Sequence, residues 1–326
     1  MTSFSLLRVP YVAQKEILSK MTPLDLYFLS QSSKRAKRLV RHSPMKKLGI
    51  ELKIIGKVKT GQITIKHSDI AYNIIVVSTE SYADDGEFKI HERNGGYYYL
   101  IFSDDVPTQM NVLMNYFHEV FGMNLSAVDL SVLNKLTLES IIDMIISRQP
   151  EIQDLKLQDI EEPGLDVTEL LEKVRTVNKL WINAKLKSGF GFIFENVPQE
   201  AAFCQADWFT CQNLLCSEWE KLFVTGAPLT NSDINHLVEK WMEGNLPKLK
   251  FVAVKSEMFH DETPVAGIFP PVSEDEDLPQ NLKSIEAWNV LLDVNTGTTL
   301  TNANGVTAKL GFQSGNNSIF FLYVSD

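Results

Sequence analysis

The stretch "LLRVPYVAQKEILSKMTPLDLYFLSQSSKRAKRLV", residues 6–40, combines many large apolar residues with a high density of positive charge. Residues 1–48 contain ten lysines and arginines and two acidic residues, a net charge of +8. The remaining residues contain 21 basic and 39 acidic residues, a net charge of −18. This asymmetry predicts two modules with different partners.

The residues of this first stretch predict three short helices. Pro10 suits the start of the first, because its fixed φ angle is helical and its missing N–H needs no partner there. Thr22 can cap the second helix, Pro23 fits its first turn, and Asp25 favours the positive end of the helix dipole. The third begins near residues 32–33 and carries the basic run "KRAKRLVRH".

Three helices of this length expose more apolar surface than they can bury among themselves. The excess residues are Leu7, Val9, Ile17, Leu18, Met21 and Leu26. Either these side chains dock onto the rest of the chain, or they form a binding surface for another protein. The basic run also has two interpretations, a nucleic-acid or nuclear-targeting patch and a solvated helix face. It contains no interleaved aromatic residue on which a base could stack, so we do not expect nucleic-acid binding.

Residues 50–102 alternate between apolar and polar residues as strands do, for example in "IELKII" and "GYYYLIFS". Turn residues separate the segments, which predicts successive hairpins in a small antiparallel sheet. The following segment "TQMNVLMNYFHEVFG" has helical spacing and predicts a helix that stops at Gly122.

Farther along the chain, the pattern apolar-x-x-Leu-x-apolar occurs four times, starting at residues 152, 177, 219 and 246. Predicted helices at "VTELLEKVRT" and "NSDINHLVEKWMEG" separate the first pair and the last pair, and Asn231 or Ser232 would cap the second of these. Steps of 25 and 27 residues match leucine-rich repeats, whose period is roughly 20–29, and the middle step of 42 indicates an insertion. Strand–helix units of this period predict a parallel sheet.

Residues 6–40 resemble an F-box, specifically the variant of the large nematode F-box families. Val9-Pro10 stands where the family has Leu-Pro, and Met21 stands where it has Leu. The resemblance implies a three-helix unit that docks on the Skp adaptor of an SCF ubiquitin ligase and, through it, on cullin. The implied adaptor contacts are Val9, Pro10, Ile17, Leu18, Met21, Pro23 and Leu26.

Residues 207–244, followed by "LPKLKFVAV", resemble the type 2 F-box-associated domain, which follows the F-box in those nematode families. The closing segment "GVTAKLGFQSGNNSIFFLYVSD" is similar to the final hairpin of that domain. Its usual Arg-x-x-Gly lead is replaced here by Asn302-Ala303-Asn304-Gly305.

We find no motif for catalysis, for a cofactor or for a metal. "GFGF" at 189–192 lacks the further glycine and the lysine of a phosphate loop. Cys204, Cys211 and Cys216 lack the paired short spacing of a structural zinc site. No apolar run is long enough to predict a membrane span, and no signal peptide is evident. We therefore expect reduced thiols and a cytoplasmic or nuclear location.

Proteins built from strand–helix repeats commonly bind their partners on the surface that the strands form. Because side chains alternate along a strand, the residues that flank each central leucine share one face. Those proposed as target contacts are Lys156, Lys179, Trp181, Lys221, Phe223, Lys248 and Lys250. This composition suggests an acidic target segment, with the two aromatic residues as anchors. In the alternative, both aromatic residues belong to the core.

Together these patterns predict an α+β chain in which a three-helix F-box, residues 1–48, precedes a domain of antiparallel hairpins and leucine-rich-repeat-like units, residues 49–326. The expected function is that of a non-enzymatic substrate receptor that links the Skp adaptor to a protein target. The main alternative is a repeat scaffold unrelated to ubiquitin. An enzyme that uses the cysteine cluster is a third hypothesis.

Overall fold

The computed structural model describes residues 6–42, 50–55, 60–67, 70–81, 90–93, 96–131, 135–158, 166–216, 218–260, 262–269, 283–285, 290–292, 297–313 and 319–325. The chain forms two compact units, residues 1–152 and residues 153–326. The predicted boundary between residues 48 and 49 lies outside the described residues and stays a prediction. The helices that precede it belong to the same compact unit as the sheet that follows.

The first unit begins with a helical turn at Leu6–Arg8 and three helices, α1 (Tyr11–Lys20), α2 (Pro23–Ser32) and α3 (Lys34–Val40). The predicted cap of α2 is confirmed as a reciprocal capping box. The Asp25 backbone N–H donates to Thr22 Oγ1, and the Thr22 N–H donates to the Asp25 carboxylate, both at 3.1 Å. Ser33 caps α3 by accepting from the Ala36 N–H at 3.1 Å.

The first unit also contains a mixed sheet. Its strands are β1 (Ile50–Ile55), β2 (Thr60–His67), β3 (Ile70–Ser78), β4 (Ile90–Arg93), β5 (Gly96–Ser103) and β6 (Leu125–Ser131). Their spatial order is β6-β1-β2-β3-β5-β4. The predicted antiparallel hairpins are confirmed for β1–β2, β2–β3 and β4–β5, whereas β3 pairs with β5 in parallel. The sheet is therefore mixed rather than purely antiparallel. Strand β4 pairs with one edge of β5, and β3 pairs with the other edge.

Two longer helices complete this unit, α4 (Val106–Phe121) and α5 (Lys135–Ile146). Asp105 caps α4, and the predicted stop at Gly122 is confirmed, because that residue adopts the left-handed conformation with φ 64°. Helix α4 lies against β2 and β3. The approach is close at Gly61, where an added Cβ would lie 2.6 Å from Met110 Cγ. The apolar face of α4 is buried, so this helix holds the core of the unit together.

The second unit contains an eight-stranded sheet in the order β7-β8-β9-β10-β11-β16-β15-β14. The strands are β7 (Glu151–Gln158), β8 (Arg175–Asn183), β9 (Glu200–Cys204), β10 (Lys221–Thr225), β11 (Phe251–Lys255), β14 (Thr298–Thr301), β15 (Thr307–Gln313) and β16 (Ile319–Val324). A separate antiparallel pair consists of β12 (Lys283–Ile285) and β13 (Val290–Leu292). Strands β8 to β11 are parallel, which was predicted for β8, β10 and β11, and the closing hairpin β15–β16 is antiparallel.

Short helices lie between these strands, α6 (Thr168–Lys173), α7 (Cys211–Leu214) and α8 (Asn231–Met242). The predicted 42-residue step with an insertion needs correction, because the inserted segment contributes the parallel strand β9 between β8 and β10. The cap of α8 is also corrected. Thr230 rather than Asn231 or Ser232 forms a capping box with Asp233. The strand–helix alternation is thus denser than the leucine pattern indicated.

Candidate functional site

Several apolar residues of the N-terminal helices retain solvent exposure. Pro10 is exposed, and Val9, Ile17 and Met21 are partly exposed. Tyr11, which is 52% exposed, and Val12, which is 79% exposed, lie outside the set of predicted adaptor contacts. The N-terminal patch is defined here as Val9, Pro10, Tyr11, Val12, Ile17 and Met21. Helical spacing did not indicate the exposure of Tyr11, because a residue seven positions before the buried Leu18 lies on nearly the same side of α1.

The other implied adaptor contacts lie inside the first unit. Leu18 is 1% exposed, Leu26 is 0% exposed and Pro23 is buried. These side chains hold the helices in place, and in this conformation they offer almost no surface to another protein. The chain itself covers one part of the apolar surface of these helices, and the residues of the N-terminal patch stay fully or partly exposed.

Helix α2 is anchored by aromatic contacts within its unit. Tyr27 stacks on Phe117 of α4, and Phe28 meets Tyr99 of β5 edge-to-face at a centroid distance of 4.8 Å. The hydroxyls of Ser30 and Tyr116 are hydrogen-bonded to each other. Burial, followed by the nearby phenols of Tyr99 and Tyr116, raises the pKa of Tyr27 to about 12.

The basic run on α3 is largely a solvated face. Lys34, Arg35, Arg38 and Arg41 are exposed. Lys37 is partly covered, with its ammonium 4.6 Å from the centre of the Tyr116 ring. This arrangement matches the solvated-face interpretation.

In the second unit, the proposed target contacts lie on or beside one sheet face, and four of the lysines are paired. Glu200 of β9 lies in register with Lys179 of β8 and Lys221 of β10. Its carboxylate is 3.3 Å from the Lys179 ammonium and 2.6 Å from that of Lys221. Burial by itself raises the pKa of Glu200. The charges and hydrogen bonds of Lys221 and then Lys179 lower the pKa by more, so it lies below its usual value overall.

The lysines before strand β11 are paired in the same way. Lys250 lies 2.8 Å from the Glu220 carboxylate, and Lys248 contacts Glu218. The positive charge that the sequence places here is therefore largely compensated by neighbouring glutamates. Sequence spacing could not indicate this, because each glutamate comes from another part of the chain.

The two aromatic residues of this face differ in burial. Phe223 is 6% exposed and packs in a core cluster with Ala202, Phe251, Ala253 and Phe321. Phe223 therefore lies in the core, as the alternative interpretation predicted. Trp181 is half-buried against the same cluster, and the Lys156 ammonium lies 4.7 Å from the centre of its ring. Contact of any of these residues with a target remains a prediction.

Two of the three cysteines, Cys204 and Cys211, lie in surroundings that disfavour the thiolate form. All three are free thiols and half-buried. Burial raises the pKa of Cys204, and burial followed by Asp233 raises that of Cys211 to about 11, which keeps both thiols protonated at neutral pH. Among the described residues, no group of three His, Cys, Asp or Glu side chains could hold a metal. No helix in the described ranges has the length and hydropathy to cross a bilayer.

The two parts of the chain that carry these surfaces match protein-family models. Residues 6–48 match the F-box domain, and residues 193–254 match the F-box associated domain of type 2. The chain thus carries an N-terminal F-box and a C-terminal F-box-associated domain, as the sequence resemblance indicated. The nematode part of that resemblance stays a prediction. No curated protein and no solved structure is significantly similar to the chain.

These two domains are adaptor and receptor modules rather than catalytic ones. F-box domains bind the Skp adaptor and thereby cullin in SCF ubiquitin ligases. The combination of an F-box with an F-box-associated domain suggests a substrate-recognition subunit of such a complex.

Proposed function

We propose that this chain is a substrate receptor of an SCF-type ubiquitin ligase, which joins the Skp adaptor at its N-terminal helices to a protein target at its second unit. Its contribution to ubiquitin transfer is proximity. A bound target is held near the charged conjugating enzyme, which raises its effective concentration there. The observation that carries the proposal is the order of the two domain matches, combined with an exposed N-terminal patch inside the F-box.

On the adaptor side, the N-terminal patch supplies the contact. Val9, Pro10, Ile17 and Met21 belong both to this patch and to the contacts that the F-box resemblance implies. Buried Leu18, Pro23 and Leu26 would act by positioning the patch, since their side chains are covered. Tyr11 and Val12 add exposed apolar area of the kind that protein interfaces bury.

On the target side, the strand–helix unit offers the leucine-rich-repeat-like face of Lys156, Lys179, Trp181, Lys221, Phe223, Lys248 and Lys250. An acidic segment would have to displace Glu200, Glu218 or Glu220 from the lysines. Charge reversal at Lys179 and Lys221 tests directly whether this face binds the target. Target capture that survives both changes would show that the lysines are not needed for target binding.

The experiment that tests the function is reconstitution with a purified adaptor and a cullin–RING core. The chain should co-elute with the core in size-exclusion chromatography only when the adaptor is present. Pro10→Glu should abolish co-elution, because a charge replaces an exposed apolar contact. Val112→Glu is the matched control, since Val112 is an exposed apolar residue, 53% accessible, on α4 of the same unit. Co-elution of the Pro10 variant at the wild-type level would contradict the proposal.

A second candidate function is a protein-interaction scaffold unrelated to ubiquitin. The observation that favours it is the packing of α2 on α4, because the helices already share a core with their own unit. This alternative predicts no measurable affinity for the adaptor, together with unchanged target binding when the N-terminal patch is altered.

A further inference from the structure

The surface of the N-terminal helices carries an excess of positive charge. Between residues 6 and 42, the exposed basic side chains are Arg8, Lys15, Lys20, Lys34, Arg35, Arg38 and Arg41. The exposed acidic side chains in the same range are Glu16 and Asp25. These helices therefore present a positive surface to solvent, on a chain whose total charge is −10.

Part of this charge borders the N-terminal patch. The Lys15 ammonium lies 4.9 Å from the centre of the Tyr11 ring, which belongs to the patch. Arg8 and Lys20 are exposed and adjoin two further patch residues in the chain. Lys20 approaches Glu16 at 3.8 Å, but the two side chains are 77% and 72% exposed, so water weakens this pair. An apolar surface with a positive rim fits a partner surface with an apolar centre and an acidic rim.

A second group of positive charges follows one side of helix α3. Lys34, Arg38 and Arg41, here called the α3 stripe, are four and three positions apart and therefore lie on neighbouring turns of the same face. Among the described residues none of the three forms an ion pair, whereas Lys37 lies 3.9 Å from the Glu119 carboxylate. Charges of equal sign on neighbouring turns repel each other. The stripe therefore disfavours the helix that carries it.

The position of Lys34 adds a second unfavourable interaction. This residue stands in the first turn of α3, where the helix dipole favours an acidic side chain, and that turn contains none. In the second unit, by contrast, Lys179 and Lys221 are compensated by Glu200. The charge of the α3 stripe is not explained by the packing of its own unit. A negatively charged partner would compensate it.

The N-terminal patch indicates which kind of anion this partner is. A nucleic acid offers phosphates but no apolar groove for Val12 and Ile17, and the sequence of α3 contains no aromatic residue on which a base could stack. A protein surface combines acidic side chains with apolar contacts. The joint presence of apolar and positive surface therefore favours an acidic protein.

We propose that the adaptor surface that receives the N-terminal patch is acidic, and that the positive charge of α1 and α3 steers the adaptor toward the patch. Complementary charge raises the rate of encounter by a factor of about 10–1,000 without requiring direct contact. It acts over about 8 Å at physiological salt and over about 30 Å at about 10 mM salt. The α3 stripe can thus remain solvated and still act on the partner. This inference rests on the proposed function, because it assumes that the adaptor binds the patch.

The test is stopped-flow association of the full-length chain with purified adaptor at several salt concentrations. We expect the association rate constant to fall at least tenfold between about 10 mM and about 500 mM sodium chloride. The dissociation rate constant should change by less than about threefold, because rim charges act mainly on encounter. Docking by apolar contact without steering would give an association rate that hardly depends on salt.

Reversal of two charges of the α3 stripe locates the effect. Lys34→Glu combined with Arg38→Glu should slow association at least tenfold at low salt, and the difference should disappear at high salt, where the charges are screened. Lys185→Glu combined with Lys240→Glu is the control, because it changes the net charge equally at exposed lysines of the second unit. Its association rate should stay within about threefold of that of the unaltered chain.

The single variant Lys34→Glu separates steering from a structural role. Glutamate in the first turn interacts favourably with the helix dipole and can pair with Arg38 one turn later. The thermal midpoint should therefore stay unchanged or rise, while association at low salt slows by a factor of about two to five. A lysine that the fold requires would instead lower the midpoint when it is replaced.

Three outcomes would overturn the steering proposal while the ligase function stands or falls separately. Adaptor binding with salt-independent association, or equal slowing by the α3 variant and its control, refutes steering alone. A single-stranded oligonucleotide that displaces the adaptor at equal concentration would show that the α3 stripe binds nucleic acid instead. Absence of adaptor binding by the unaltered chain refutes the ligase function and, with it, the adaptor as the acidic partner.

Discussion

Tyr27 of helix α2 stacks on Phe117 of helix α4, with ring centroids 5.5 Å apart and ring planes inclined by 26°. This contact joins the F-box helices to the core of the first unit, because Phe117 is completely buried. The helices are therefore positioned by their own unit before any partner arrives. The N-terminal patch is presented on a fixed support, which lowers the entropy lost on binding.

The first prediction concerns alkaline pH. The pKa of Tyr27 is about 12 in the folded chain and about 10 when the residue is exposed in the unfolded chain. The folded state keeps its proton while the unfolded state loses it, so stability is fully present below pH 10 and declines as pH rises toward 12. In Tyr27→Phe this part of the decline should be absent. Urea unfolding between pH 9 and 11.5 measures it, and identical slopes for both proteins would contradict the burial of Tyr27.

The second prediction separates packing from partner contact within the N-terminal helices. Leu26→Ala should lower the free energy of unfolding by about 2–5 kcal/mol, because it leaves a cavity at a completely buried site. Val12→Ala should change stability by less than about 0.5 kcal/mol, because that side chain is exposed. Chemical denaturation of the two variants checks this ordering. Equal stability of the two variants would show that Leu26 is not part of the core.

The third prediction concerns acid pH in the second unit. Hydrogen bonds from Lys187 and Thr168 lower the pKa of Asp166 to about 2, whereas a free aspartate titrates near 4. Stability from this group is present above pH 4 and is lost as pH falls through 2. Asp166→Asn should flatten this acid-side loss. Thermal unfolding between pH 2 and 5 measures it, with Glu239→Gln, an exposed carboxylate of α8, as the control that keeps the wild-type profile.

The fourth prediction tests the assignment of Phe223 to the core. Phe223→Ala should destabilise the second unit by about 3–5 kcal/mol, since the ring packs among Ala202, Phe251, Ala253 and Phe321. A surface anchor would instead lose target affinity with little change in stability. Denaturant unfolding followed by tryptophan fluorescence distinguishes the two, and a loss below 1 kcal/mol would refute the core placement.

Local chemistry was predictable from the sequence. The cap at Thr22 and the left-handed stop at Gly122 depend on residues within a few positions, and the structure has both. The parallel strands β8, β10 and β11 followed from repeated leucines. Strand β9 was not predicted, because "EAAFC" has alanines where the pattern requires leucine. Its small residues pack against Phe223 and Phe321.

Long-range contacts were not predictable. Helix α2 packs on a helix far along the chain, as in the Ser30–Tyr116 pair, whose residues are 86 positions apart. The pairing of Lys179 and Lys221 with Glu200 depends on strand register, which the spacing of lysines does not reveal.

The central claim is that the N-terminal patch binds the Skp adaptor, and calorimetric titration of the purified full-length chain with purified adaptor tests it most directly. We expect saturable 1:1 binding that weakens at least tenfold in Val12→Glu and is unchanged in Val112→Glu, whose parent residues are both exposed apolar residues of the same unit. Absence of binding by the unaltered chain, or equal affinity of the two variants, would contradict the account.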